Sequence, residues 1–65
     1  MKPAERPQAI IRALQVKGFS QTDIAKSTGI PQSKISRLLD DEKMDMKAGP
    51  YFVLRAFAVK CGVTI

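Results

Sequence analysis

The sequence contains no histidine, no tryptophan and only one cysteine, Cys61. One thiol cannot close an intramolecular disulfide, and without histidine the common Cys/His zinc sites cannot be assembled. Cys61 reads as a small buried apolar residue. Histidine is also the commonest general acid–base group, and nothing replaces it here. There are no paired carboxylates on a structured face, no phosphate-binding glycine loop and no activated nucleophile. The acidic run at 40–45 reads as a helix end followed by a charged loop rather than a metal site. No enzymatic role, metal or other cofactor is expected. Long apolar runs are missing too. No segment approaches the roughly 18–20 apolar residues of a membrane span. The start, "MKPAERPQAI", has prolines at 3 and 7 and no apolar run long enough for a signal-peptide core. A cytoplasmic location without membrane partners is expected.

What remains is ordinary globular material: 65 residues, 45% apolar and 26% charged. That is enough for one domain, near the lower limit for a chain that folds without metals or disulfides. The net charge of +5 is unevenly placed. Residues 1–37 hold seven basic side chains against Glu5 and Asp23, whereas residues 38–65 hold four of each sign. All the excess therefore lies in the N-terminal half, as expected of a polyanion binder.

Proline and glycine, four of each, fall mostly where helices should start and stop. Pro7 suits a first helical turn, and Ile10, Ile11 and Leu14 share one face of a helix predicted over about residues 4–17, stopped by Gly18. Ser20 and Asp23 form a capping-box pair for a second helix. Its inner face would hold Ile24, Ala25 and Thr28, and Gly29 would end it in a left-handed conformation. Pro31 opens a third helix with Ile35, Leu38 and Leu39 inward. A polar connection, "DDEKMDMKAGP", leads to a fourth helix over about residues 50–61, opened by Pro50 and closed by Gly62. No strand pattern or internal repeat is present.

The segment "SQTDIAKSTGIPQSKISRLL", residues 20–39, thus contains two short helices separated by a glycine turn. Such a turn sets its helices at roughly 90–120°, the helix-turn-helix geometry. Here "SQTDIA", "TGIPQSKISRLL" and, near the end, "LRAFAVKCGVTI" resemble the XRE-type helix-turn-helix family, which includes phage Cro and repressor proteins. The resemblance spans about residues 8–65 and is most specific over 21–38. It implies an all-α, compact four- or five-helix lambda-repressor-like domain, with residues 1–65 as one unit and the helix-turn-helix at about 20–39. It also implies a sequence-specific regulator of transcription, Cro-like, that represses by occupying operator DNA in a bacterial cell or phage-infected host. Thr28 departs from the family, which more often has Val or Leu there, and many relatives continue into a fifth helix where this chain stops.

At about 100° per residue, the stripe opposite Ile35 and Leu38 holds Ser33, Ser36, Arg37 and Asp40, with Gln32 on the flank. In this geometry the N-terminal part of the third helix meets base edges in the major groove. Gln32 could pair with adenine, Arg37 with guanine, and Ser33 or Ser36 with several edges; the resemblance points to Gln32, Ser33 and Arg37 especially. The competing reading is a solvated face with Arg37 paired to Asp41 at i+4. Gln21 lies where relatives contact a phosphate, and Lys34, Lys43 and Lys47 are candidate phosphate partners. Asp40 and Asp41 would repel phosphates, which tilts the end of the third helix away from the backbone.

The fourth helix carries apolar residues on two faces. Leu54, Phe57, Ala58 and Cys61 fit the core, while Phe52, Ala56 and Val59, continued by Val63, lie opposite. This second stripe suggests a homodimer matched to two operator half-sites about 34 Å apart. The alternative is that the stripe covers the core edge. No small-molecule pocket is legible. The rival functions are a helical protein-interaction module, such as an anti-repressor or antitoxin part, and a DNA-binding subunit of a recombination complex.

Overall fold

The computed structural model describes residues 6–63, which form four helices. These are α1 (Pro7–Val16), α2 (Gln21–Thr28), α3 (Gln32–Asp40) and α4 (Ala48–Lys60). The protein is all-α, with no strand among the described residues. Residues 4 and 5, also predicted helical, lie outside the described residues.

Each helix end has an identifiable cause. Pro7 occupies the first position of α1, where a missing N–H is harmless. At its other end, Gly18 has φ +105°; its N–H donates to Gln15 O at 2.9 Å and the Phe19 N–H to Leu14 O at 3.1 Å. This pair of reversed bonds is the Schellman arrangement, and it folds Phe19 back onto the core. Ser20 and Asp23 make the predicted capping box, each accepting the other's backbone N–H at 3.1 Å. Hydrogen bonds from Ser20, first its backbone N–H and then its side chain, hold the Asp23 carboxyl below its ordinary pKa. Gly29, at φ +76°, ends α2 in the left-handed conformation. Thr28 donates its hydroxyl proton to Ile24 O at 2.7 Å and accepts the Ile30 N–H at 3.3 Å. Thr28 therefore supplies a partner to the Ile30 N–H, the second backbone donor beyond the helix, the first being that of Gly29, which donates to Ala25 O.

α4 begins at Ala48, two residues earlier than the sequence pattern suggests. Pro50 is tolerated in the first turn because its N–H would have no partner there. The residue before a proline is normally pushed out of helical conformation by its Cβ, and Gly49 has none.

The core is made by Ile10, Ile11 and Leu14 from α1, Ile24 from α2, Ile30 from the turn, Ile35 and Leu38 from α3, and Leu54 and Ala58 from α4. Complete burial of such side chains is worth about 1.5–3 kcal/mol each. α1 packs on α3 and α4, and α2 packs on the same two helices. The Phe19 and Phe57 rings meet edge to face at 5.3 Å, closing the end where α1 and α4 finish. Phe57 and Cys61 are half-buried against the core. No helix among the described residues is long and apolar enough to cross a membrane.

Candidate nucleic-acid interface

The Gly29 turn leaves one side of α3 facing solvent. Ile35 and Leu38 are fully buried, while Gln32, Ser33, Arg37 and Asp40 are exposed and Ser36 is half-buried. Among the described residues Arg37 has no ion-pair partner. Asp41 does not pair with it; its Oδ1 accepts the Lys43 N–H at 3.0 Å, and its own N–H donates to Arg37 O. The pairing that a solvated face would favour is absent, and the guanidinium is presented outward.

The candidate phosphate partners do not form one cluster. Gln21 is the first residue of α2 and is half-buried. Lys43 sits in the turn after α3, its backbone pinned by Asp41. Lys34 and Lys47 lie together: both line a groove of about 420 Å³ between the α2–α3 turn and the start of α4. Gln21 and Lys43 do not line it.

One part of the basic excess is engaged by the connection that follows α3. Arg6 donates to the Glu42 carbonyl, and Arg12 forms an ion pair with the Glu42 carboxylate at 3.2 Å. Between them, the Gln8 amide donates to Asp41 O at 3.1 Å and Met44 O at 2.7 Å. Gln8 is 2% exposed, and its Oε1 is buried without a partner. These three side chains of α1 and its cap hold the connection that places Lys43 and Lys47. The Arg12–Glu42 pair offsets one cation of the basic half, whereas Arg6 keeps its charge while bonding a carbonyl. Sequence reasoning missed this clamp. Its legible signal was a polar residue, Gln8, one helical turn before Ile11 on the buried stripe.

On α4, Phe52 is 63% exposed and Val59 54% exposed, with Ala56 also exposed. Val53, at 46%, widens this apolar face. Val63 does not continue it. The Gly62 N–H donates to Val59 O at 3.0 Å and the Val63 N–H to Ala58 O at 2.9 Å, a second Schellman reversal that turns Val63 inward against the core. Among the described residues no three Cys, His, Asp or Glu side chains are grouped to hold a metal ion. Comparison with family models, with curated proteins and with solved structures returned no match to this chain.

Proposed function

We propose that the protein is a non-catalytic, sequence-specific regulator that binds double-stranded DNA. In this reading α2 and α3 form a helix-turn-helix of the lambda-repressor-like, XRE-type kind. α2 crosses the phosphate backbone and α3 enters the major groove. The observation that carries it is the outer face of α3, where Gln32, Ser33 and Arg37 are exposed around a turn fixed by left-handed Gly29, with Arg37 unpaired among the described residues. Arg37 pairs with a guanine edge, Gln32 with adenine, and Ser33 and Ser36 adjust to neighbouring edges. Gln21, Lys34, Lys43 and Lys47 hold phosphates and fix the register. Occupying an operator would repress, as in Cro-like proteins.

A second copy docks on Phe52, Ala56 and Val59, which places two α3 helices about one DNA turn apart. Val63 takes no part in that contact. The apolar α4 face equally favours a protein-interaction module, and salt dependence separates the two functions. Three lysines per protomer on phosphates release about six counterions per dimer, so log K should fall against log salt with a slope near −5. Fluorescence anisotropy on duplex DNA tests this. A slope near zero, or no binding to any duplex, would move the function to protein partners.

A further inference from the structure

The groove between the α2–α3 turn and α4 has a composition that DNA binding does not explain. Ile30, Met46, Pro50 and Val53 give it apolar walls, and Lys34 and Lys47 are the charged groups that line it. No carboxylate lines it. Neither lysine has an ion-pair partner among the described residues. A phosphate backbone would use the lysines and leave the apolar walls wet. Val53, 46% exposed, continues those walls onto the outer face of α4 beside Phe52.

We propose that this groove docks an acidic amphipathic helix of a protein partner. Aliphatic side chains at i, i+3 or i+4 of that helix enter between Ile30, Met46 and Val53, and its Asp or Glu side chains meet Lys34 and Lys47. Charge complementarity selects this occupant over a second copy of the chain. α4 contains no Asp or Glu, and its exposed apolar residues are accompanied by Arg55 and Lys60. The exposed Val16 of α1 is followed by Lys17. Entering the groove through either of these faces, a second copy would bring cations to Lys34 and Lys47, and its exposed carboxylates at 40–42 and 45 lie apart from its exposed large apolar side chains.

The regulatory consequence rests on the DNA-binding reading. Lys34 and Lys47 are also assigned to phosphates, so the partner helix and the operator compete for them. Docking of the partner releases DNA without any change in the fold.

The test uses the full chain and a synthetic peptide with leucines at i, i+3, i+4 and i+7 flanked by glutamates. A scrambled peptide of the same composition is the control. Titration without DNA, followed by amide chemical shifts, should perturb residues 28–34 and 46–53. Affinity for the scrambled peptide, and affinity of the Lys34→Glu/Lys47→Glu variant for the original, should each fall about tenfold or more. Circular dichroism should show that variant folded, since no ion pair among the described residues is lost. Equal binding of both peptides, perturbation spread over the whole basic surface, or perturbation confined to the Phe52–Ala56–Val59 face would overturn the proposal. Decanoate giving the same shifts as the peptide, with equal affinity, would overturn a protein occupant in favour of a small anionic amphiphile. In a second step the peptide should displace bound duplex; both ligands held at once would overturn the competition. A duplex that never binds would refute the DNA-binding reading and leave the peptide titration to decide the groove.

Discussion

Gly29 holds the angle on which the candidate interface depends, and its environment allows a clean test. Its φ is +76°, and a Cβ built there meets nothing within 4 Å. Substitution therefore changes backbone energy without a steric clash. An L side chain in the left-handed region costs roughly 1–2 kcal/mol. Alanine also reduces the freedom of the unfolded chain, which offsets about 0.4–1 kcal/mol of that cost. Gly29→Ala should thus destabilise by about 0.5–1 kcal/mol, against a total of about 3–10 kcal/mol expected at this size. With a urea slope near 1 kcal/mol/M, the midpoint should fall by about 0.5–1 M. Replacing Gly29 with D-alanine by chemical synthesis adds the same atoms but suits a positive φ, so the midpoint should rise. Gly49 provides a second control. It is helical without a positive φ and equally open, but it precedes Pro50, so the Cβ of Gly49→Ala should cancel the usual gain of about 0.5–1 kcal/mol over glycine and leave stability no higher than the parent's. L- and D-alanine at position 29 moving the midpoint in the same direction would refute the reasoning.

Gln8→Ala removes both donors to the 41–44 connection and leaves two carbonyls unpaired; about 2 kcal/mol of stability should go, with amide exchange accelerating first at residues 41–47. Arg37→Ala should leave the unfolding free energy within about 0.5 kcal/mol of the parent's while costing about 1–3 kcal/mol of operator binding and relaxing one base position per half-site. Phe52→Glu should convert any solution dimer to monomer by sedimentation equilibrium, whereas Val63→Glu should instead destabilise the fold, because Val63 packs inward. Asp23 has a lowered pKa in the folded state, so the stability it contributes is complete above its ordinary value of 3.8 and is lost as pH falls through the lower folded value. Acid titration of the urea midpoint should show that loss, and Asp23→Ala should flatten it.

The four helices were legible because their signals are local. Ser20 and Asp23, the glycines at 18, 29 and 62, and the apolar spacing of Ile10, Ile11, Leu14, Ile35 and Leu38 each act within one or two turns. The exposed face of α3 followed from the same periodicity. Three features were not legible. The Gln8, Arg6 and Arg12 clamp joins residues about thirty positions apart, and no periodicity reports where a side chain's partner will lie. The groove exists only once α4 packs beside the turn, so Lys34 and Lys47 read as separate surface lysines in the sequence. Val63 appeared to continue the Phe52 stripe because helical spacing was extended past Gly62, where the chain reverses. That glycine carried the warning, since a left-handed residue after a helix commonly folds the next apolar residue back.

The central claim is that α3 reads sequence in duplex DNA. The most direct measurement is selection of the purified protein on random duplex DNA at about 0.15 M salt. The account expects an inverted repeat with its halves about one turn apart, with Arg37→Ala losing preference at one position in each half. An enriched single site would retain the reading helix and remove the dimer. No enrichment from a protein whose circular dichroism is helical, or an enriched site indifferent to Gln32 and Arg37 substitutions, would contradict it.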